Sequence, residues 1–244
     1  MLSVAGSRNV YFGLLVSALM AGLPAQFGAV AAAGTVDIFS QPGNGSNNMG
    51  GTNEGIPTSP AWYMPPPGSP YEWISYGATG CNTFVPLTGI CTAGPQNPAG
   101  TTVGGTPTAV FYATFTVTDP NDSGWLYVWA DDTAGVWLDP GTVTSGNGDI
   151  TGATMEFAPN GNLGNNCAEP QPIGCTAGTQ ANIFLSLGPG TYTLVFDAYQ
   201  LIGGSPFGLM YDGVLTSTPE PASYMFMGLG LAGLGTLVRR RKRA

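Results

Sequence analysis

Residues 108–118 read TAVFYATFTVT, and this alternating stretch decides the fold class of the chain. Apolar side chains occupy every second position from Ala109 to Val117, and threonine fills the positions between them from Thr114 onward. Successive side chains of a β-strand point to opposite faces, so a period of two predicts a strand with one buried face. The predicted buried face consists of Ala109, Phe111, Ala113, Phe115 and Val117.

Strand patterns continue after this stretch. Residues 124–130 alternate large aromatic and smaller apolar side chains, and an acidic turn at 131–135 joins them to an extended run at 136–138. Residues 183–199 contain two further alternating runs, which are joined by a Gly-Pro-Gly turn. Two alternating runs joined by a short turn are typical of a β-hairpin. The sequence therefore predicts two hairpins, the first with an acidic turn.

The body at residues 34–217 has the length of one domain and shows no convincing apolar period of 3.6. Its opening strand is predicted at Thr35–Phe39 and its closing strand at 207–215. We expect 41–105 and 141–178 to be long ordered loops, because they combine turn-forming residues with cysteines and, in the first, many aromatic residues. These features predict an all-β fold, a sandwich or jelly roll with long loops.

Four cysteines lie in these loops and are predicted to be structural. Cys81 and Cys91 bracket one loop, and Cys167 and Cys175 bracket another, so we expect each close pair to form a local disulfide. Four cysteines allow three connectivities, and the sequence leaves the crossed ones open. A zinc site is disfavoured, because the spacings exceed those of paired-thiolate knuckles and the chain contains no histidine.

The N-terminal segment, residues 1–33, is predicted to be a secretory signal peptide with a helical apolar core. Arg8 precedes an apolar run at 10–23, and alanines at 31–33 supply the small residues that signal peptidase reads. Cleavage is expected after Ala33, and an uncleaved N-terminal anchor is the alternative. Both alternatives predict export through the inner membrane, into a compartment where disulfides persist.

The C-terminal segment, residues 218–244, combines a short motif, an apolar stretch and a basic end. Pro219, Glu220 and Pro221 form the motif, and the stretch 222–238 carries no charge. At about 1.5 Å per residue a helix of this stretch spans roughly 26 Å, close to the hydrocarbon core of a bilayer, so we predict a transmembrane helix. The basic end, which the positive-inside rule assigns to the cytoplasm, comprises Arg239, Arg240, Arg241, Lys242 and Arg243.

This order of motif, glycine-rich run at 228–235 and arginine-rich end resembles the PEP-CTERM sorting domain of Gram-negative bacteria. The resemblance implies recognition by exosortase, a membrane transpeptidase, with cleavage near the motif and release or re-anchoring of the body. Such proteins commonly accompany exopolysaccharide production. The chain is therefore expected to be anchored transiently in the inner membrane and then delivered to the cell surface or the extracellular matrix.

The distribution of charge excludes several classes of function. All six Lys and Arg residues lie in the two targeting segments, so residues 34–221 hold 14 carboxylates and no Lys, Arg or His. Nucleic-acid binding depends on cations that neutralise phosphates, and mechanisms based on lysine or histidine lose their key group. Carboxylate chemistry remains, including that of a glycosidase, which needs two carboxyl groups about 5 to 9.5 Å apart.

Two kinds of binding site are candidates in the body. Trp62 and Trp73 are predicted to offer flat faces to sugar rings from the loops, whereas Trp125, Trp129 and Trp137 lie in strands, where large aromatic residues are more often core. Carboxylates near strand ends would hold a calcium ion if their loops lie at the same end of the sandwich. Turn formation and solubility are the alternative roles of these acids. The calcium candidates are Asp119, Asp122, Asp131, Asp132 and Asp139.

The aromatic stretch at 125–139 and the late strand from Gly190 to Leu194 resemble jelly-roll ectodomains of secreted bacterial proteins, which are similar to galactose-binding-like sandwiches. The resemblance implies glycan binding and a structural calcium ion. The combined prediction is a non-catalytic surface or matrix protein that binds exopolysaccharide or another glycan. A carboxylate-dependent glycan-active enzyme and a purely structural matrix component are the alternatives.

Overall fold

A computed structural model of the chain describes residues 34–85, 88, 90–143, 152–161 and 173–217. The predicted signal peptide, the PEP motif, the apolar C-terminal helix and the basic tail lie outside these residues. In the described part, no helix is long and apolar enough to cross a membrane. The regular structure there consists of strands.

In chain order the strands are β1 (Thr35–Phe39), β2 (Ser46–Asn47), β3 (Glu54–Gly55), β4 (Ile74–Ser75), β5 (Cys81–Val85), β6 (Ile90–Ala93), β7 (Ala109–Val117), β8 (Asp122–Asp131), β9 (Thr133–Asp139), β10 (Thr154–Phe157), β11 (Ala181–Leu187), β12 (Gly190–Tyr199) and β13 (Gly208–Ser217). The opening strand lies at its predicted residues, and the closing strand extends two residues beyond the prediction. The alternating stretch at residues 108–118 contains β7.

Two antiparallel sheets build the sandwich. The first, which we call the front sheet, has the order β11-β8-β13-β4-β3, and β1 pairs with β13 as well. The second, which we call the back sheet, has the order β10-β9-β12-β7-β2. Strands β5 and β6 pair with each other, and with no further strand in the described part of the chain. The all-β sandwich predicted from the alternating patterns is confirmed.

The main core lies between the two sheets and is formed by alternate residues of their strands. Leu126 of β8 and Leu194 of β12 are fully buried in it, and the ring of Phe196 stacks on that of Tyr211 with centroids 4.7 Å apart. All five residues of the predicted buried face of β7 belong to this core or pack against it. The pattern of period two therefore assigned the inner face of this strand correctly.

The two predicted hairpins are wrong, although the strands themselves are present. Strand β8 pairs with β11 and β13 in the front sheet, while β9 pairs with β10 and β12 in the back sheet. The chain therefore crosses from one sheet to the other at Asp132. It crosses again between β11 and β12, at Gly188 and Pro189. A short connection is compatible with either arrangement, because in both of them the apolar faces of consecutive strands point into one core.

A second apolar cluster lies on the outer side of the front sheet, beneath residues 56–73, which we call the loop layer. Ile56, Trp62 and Trp73 of this layer pack against Trp129 of β8 and other buried residues. The prediction of an ordered, aromatic loop region is confirmed for this part. Burial of three large side chains outside the main core attaches the layer firmly to the sheet.

The cysteines near the loop layer form one of the predicted local disulfides. Cys81 of β5 is bonded to Cys91 of β6. Cys175 is also disulfide-bonded, and Cys167, its predicted partner, lies outside the described residues. The backbone N–H of Cys81 donates a hydrogen bond to the carbonyl of Pro57, 3.1 Å away, which ties the clipped hairpin to the loop layer.

Candidate functional site

The outer face of the front sheet is divided into a covered half and an open half. In the covered half, Trp129 and Met210 are buried under the loop layer. In the open half, three large apolar side chains face solvent. Trp125 is 49% exposed, Phe184 is 55% exposed and Val214 is 43% exposed. Large apolar residues that cluster on an exposed face are the more informative exception to normal burial.

The strand register places these three side chains in one row across the open half. Val214 of β13 is paired with Trp125 of β8, and Trp125 is paired with Phe184 of β11. Asp37 of β1 is paired with Val214 and completes the row on its other side. Neighbouring strands lie about 4.8 Å apart, so the row extends roughly 14 Å across four strands. We call Trp125, Phe184 and Val214 the aromatic platform.

Polar rows border the platform on both sides. The row on the side away from the covered half consists of small hydroxyl residues. The row on the side of the covered half mixes aromatic, amide and acidic side chains. Adjacent rows on one face are about 7 Å apart, so their side chains flank the platform. The hydroxyl row is Thr35, Thr216, Ser123 and Ser186, and the mixed row is Phe39, Asp212, Tyr127 and Asn182.

Trp125 and Phe184 contact each other directly. Their ring centroids lie 5.3 Å apart with an interplanar angle of 63°, an edge-to-face arrangement. Such pairs contribute about 0.5–1.5 kcal/mol beyond their area burial, so each ring restrains the orientation of the other. The pair therefore presents a fixed, half-exposed aromatic surface to solvent. Fixed rings lose less conformational entropy on binding than free ones.

Two carboxylates lie at the border of the platform. Burial raises the pKa of Asp212, and the nearby negative charge of Asp37 raises it further. The two residues are on adjacent strands in neighbouring rows of the same face, which is the diagonal relation of an antiparallel pair. Burial also raises the pKa of Tyr71, whose hydroxyl hydrogen bonds with that of Tyr63 and lies near the charge of Asp212. Hydroxyl donors and carboxylate acceptors thus adjoin the open half.

The tyrosines of the loop layer form a stacked wall at the boundary between the two halves. The ring of Tyr63 stacks on Trp129 with centroids 4.8 Å apart and an interplanar angle of 8°. The ring of Tyr71 is nearly parallel to that of Trp129, at 6.4 Å. This stack covers Trp129 and ends before Trp125. The loop layer therefore determines which aromatic residues of β8 remain open.

The burial of Trp62 and Trp73 contradicts the expectation that they offer ring faces to sugars. Trp62 is 4% exposed and Trp73 is 0% exposed, and their ring centroids lie 4.3 Å apart. The indole N–H of Trp62 donates to Oδ2 of Asp131 at 2.8 Å, and that of Trp73 donates to the carbonyl of Tyr63 at 2.9 Å. Both indoles instead attach the loop layer to the front sheet.

Phe184 was not among the sequence candidates, and Trp125 was expected to belong to the core. A signal for Phe184 was nevertheless present, because it shares its strand face with Asn182 and Ser186, while the apolar residues of β11 occupy the opposite face. Because its neighbours on that face are polar, the face is expected to be exposed, and the ring of Phe184 is not expected to belong to the core. The sequence offered no comparable sign for Trp125. It shares its strand face with Trp129, and the two tryptophans differ only in that the structure buries Trp129 and leaves Trp125 half exposed.

The five predicted calcium ligands are not brought together. Strand β8 begins at Asp122 and ends at Asp131, so these two carboxylates are separated by the length of the strand, about 30 Å. Asp119 lies near Asp122 at the start of the strand, and Asp132 lies beside Asp131 at its end. Asp139 ends β9, which runs back from that crossing. Within the described ranges there is no group of three or more acidic or cysteine side chains placed to hold a metal ion.

Asp131 and Asp132 form a buried carboxyl pair at the crossing between the sheets. Burial raises the pKa of Asp131 well above its usual range, the charge of Asp132 and a side-chain hydrogen bond between the two carboxyl groups add to the shift, and the hydrogen bond from the indole of Trp62 opposes it. Asp132 accepts hydrogen bonds from the backbone N–H groups of Leu201 and Ile202, at 2.7 and 3.2 Å. The hydrogen bonds of this pair go to Trp62 of the loop layer and to the backbone at residues 201–202, so its geometry fits a structural role in holding these segments to the end of β8.

Asp122 is a buried carboxylate at the opposite end of β8. In the described part of the chain, neither of its oxygens has a hydrogen-bond partner. Burial raises its pKa, and the charge of Asp119 raises it further. A lone carboxylate in such a place costs folding free energy. The calcium hypothesis stays a prediction, and the structure divides its candidates into two neighbouring pairs, Asp119 with Asp122 and Asp131 with Asp132.

Comparison with known proteins identifies a sorting motif in the C-terminal segment. A protein-family model described as the PEP-CTERM protein-sorting motif matches residues 217–242. The chain carries a PEP-CTERM sorting signal. This finding supports the resemblance seen in the sequence, and it implies an exported protein with a C-terminal membrane-anchored sorting signal that exosortase processes. No curated protein matches the chain.

The chain also matches several solved structures, at low sequence identity and low TM-score. The K3 cleaved adhesin domain of Lys-gingipain from Porphyromonas gingivalis is 13% identical with a TM-score of 0.35, and the match covers 76% of this chain and all of that domain. A family 35 carbohydrate binding module from Clostridium thermocellum is 12% identical with a TM-score of 0.26, over 73% of this chain and 97% of the module. An exo-β-1,3-galactanase from Phanerochaete chrysosporium is 11% identical with a TM-score of 0.28, over 77% of this chain and 29% of the enzyme. At these scores the likeness carries no argument about ligand or activity.

Proposed function

We propose that the exported domain is a non-catalytic module that binds a neutral glycan on the aromatic platform. The observation that supports this proposal is the row of Val214, Trp125 and Phe184, which is exposed between two polar rows of the front sheet. Sugar rings have apolar C–H faces and polar edges. A flat row of rings bordered by hydroxyl, amide and carboxylate groups complements both features.

The charge of the domain supports a neutral rather than an anionic ligand. Residues 34–221 contain no Lys, Arg or His, and Asp37 and Asp212 lie beside the platform. An anionic polysaccharide would be repelled by these carboxylates and by the net negative charge of the whole domain. Neutral hydroxyls can instead donate hydrogen bonds to the carboxylates, which are strong acceptors.

The test is binding of defined polysaccharides to the full chain, purified in a mild detergent. We expect at least one neutral probe among a β-glucan, a galactan and a mannan to retard the protein in affinity gels, and alginate to give no retardation. Trp125→Ala and Phe184→Ala should each weaken binding by at least about tenfold, which corresponds to about 1.4 kcal/mol. Both side chains are already half exposed, so their removal should leave the fold intact.

Phe84→Ala is the matched control for the loss of an exposed aromatic side chain. Phe84 is 45% exposed and lies on β5, which belongs to neither sheet of the sandwich. This variant should bind the neutral probe as the unaltered protein does. If no neutral probe binds, or if the platform variants and the control weaken binding equally, the proposal is wrong.

One observation favours a second candidate function, a carboxylate-dependent glycan-active enzyme. Asp212 has a raised pKa and a second carboxylate, Asp37, nearby, which is the pairing that an acid and its partner need in a glycosidase. The assay is release of reducing ends from each probe that binds. Turnover that is abolished by both Asp212→Asn and Asp37→Asn would establish the enzyme and refute the non-catalytic proposal, whereas binding without turnover supports it.

A further inference from the structure

The edges of the two sheets differ in how they are protected against pairing with another chain. Most of the edge strands are short or charged. Strands β2 and β3 have two residues each, β10 has four residues with Glu156 and a register shift, and β1 has five with Asp37. Short length, charge and irregularity are common means by which proteins block edge-to-edge pairing. These four strands use at least one of them.

Strand β11 is the edge that lacks every one of these devices. It is seven residues long and contains no charged residue, no proline and no glycine, and its pairing with β8 is regular throughout. On its other side, no strand within the described ranges pairs with it. An extended strand of this kind exposes alternate backbone N–H and C=O groups that can form a further ladder.

The residue pattern of β11 is symmetric about Phe184. The strand alternates buried and exposed positions from Ala181 to Leu187, with Phe184 at the centre on the exposed face. An antiparallel pairing of two such strands about a two-fold axis at Phe184 would match like with like. Ile183 would oppose the Leu185 of the second copy on the inner side, and Asn182 would oppose its Ser186 on the outer side.

We propose that β11 is a homodimer interface in which two copies of the chain pair antiparallel about Phe184. A two-fold interface requires one surface to be complementary to itself, and the symmetric pattern of β11 meets this requirement. Like charge opposes any contact between copies of this domain, because its charges between residues 34 and 221 are all negative. An uncharged strand lets two copies approach without placing one carboxylate opposite another.

The dimer would make one continuous sheet from two front sheets and would extend the platform across it. The rings of Trp125 and Phe184 in one copy would be followed by those of Phe184 and Trp125 in the other, over roughly 14 Å of sheet. The interface itself depends only on β11 and its symmetry. It therefore stands independently of whether the platform binds a glycan.

The test measures the mass of the full chain in mild detergent by sedimentation, with pairs of charges that report the register. Asn182→Asp with Ser186→Asp would place a carboxylate opposite a carboxylate at both outer positions, and we expect a monomer. Asn182→Asp with Ser186→Lys would place opposite charges there, and we expect a dimer that dissociates more readily as salt is added. Both replaced side chains are exposed, so folding should be preserved.

The unaltered protein should sediment as a dimer at high concentration and as a monomer on dilution. Phe184→Ala should shift this equilibrium toward the monomer by removing the central aromatic pair. The proposal would be overturned if the unaltered protein stayed monomeric at every concentration, or if the two charge variants had equal masses. Association through another region, such as the apolar C-terminal segment, would give that second result, because it is insensitive to charges on β11.

Discussion

The covered and open halves of the front sheet carry the same kinds of residue at the same spacing, yet they have different roles. Trp125, Tyr127 and Trp129 occupy alternate positions on one face of β8. Trp129 is buried beneath the stacked ring of Tyr63, while Trp125 remains half exposed beside Phe184. The difference lies in the loop layer, which extends over one half only.

This contrast shows what alternation in a strand does and does not determine. The period of two assigns all three aromatic residues to one face, and this assignment is correct. Whether that face is covered depends on residues 56–73, more than fifty positions earlier in the chain. Aromatic residues of the loop layer, which sequence reasoning assigned to ligands, serve as packing, and an aromatic residue assigned to packing forms the exposed surface.

The largest expected effect comes from removing a ring of the covered half. Trp73→Ala should lower the free energy of unfolding by about 3–5 kcal/mol, because it leaves a cavity beneath the loop layer and deletes a buried hydrogen bond. Trp125→Ala is the matched control, since it removes the same side chain from the open half, and it should lower stability by no more than about 2 kcal/mol, because the ring is half exposed and loses mainly its pairing with Phe184. Urea unfolding followed by circular dichroism measures both. Equal losses in the two variants would contradict the division of the face.

The next effect concerns the disulfide beside the loop layer. Replacing both Cys81 and Cys91 with serine should lower the free energy of unfolding by about 2–3 kcal/mol, as expected for the release of a short loop. Thr83→Ser, within the same hairpin, is the control and should have little effect. The same urea titration measures both. An unchanged midpoint in the double variant would show that the disulfide contributes nothing to the stability of the covered half.

Much of the sandwich could be predicted from alternation. The inner face of β7, the position of β1 and the opposite faces of β8 all follow from a period of two, because burial between two sheets selects apolar residues at alternate positions. The arrangement of consecutive strands could not be predicted in this way. A strand that returns in the same sheet and one that crosses to the facing sheet both direct their apolar residues toward the same core.

The candidate site was predicted less well for a physical reason. Trp62 and Trp73 lie in loops, and loops commonly carry binding residues because they lie at the surface. Here their indole N–H groups find acceptors in Asp131 and in the carbonyl of Tyr63, which makes burial of the rings favourable. Asp131 lies 69 residues from Trp62, and Tyr63 lies 10 residues from Trp73. No local pattern therefore distinguishes these rings from a ligand platform.

Replacement of Asp131 tests the hydrogen bond between Asp131 and Trp62, which attaches the loop layer to the covered half. Its pKa is raised by burial and by Asp132, so its contribution to stability is present at acid pH, below the unfolded value, and is lost as pH rises through the folded value. Asp131→Asn keeps an acceptor for the indole of Trp62 but removes this charge. The variant should melt a few degrees higher than the unaltered protein at pH 8 and nearly equally at pH 3.5. A lower melting temperature at pH 8 would show that the ionised carboxylate stabilises the fold.

The smallest expected effect belongs to Asp212, the corresponding acid at the border of the open half. Burial and the charge of Asp37 raise its pKa, so its ionisation also opposes folding as pH rises. Solvent screens this partly exposed pair, so Asp212→Asn should stabilise the protein at pH 8 by only a few tenths of a kcal/mol. Asp37→Asn should give a smaller gain, because it relieves the repulsion but not the burial of Asp212, and the double variant should gain less than the sum, because either change alone removes the same repulsion. Thermal melts of the three variants at pH 8 measure this cycle. A gain from Asp212→Asn as large as that from Asp131→Asn would mean that the open half is as shielded from water as the covered half, which its exposed rings contradict.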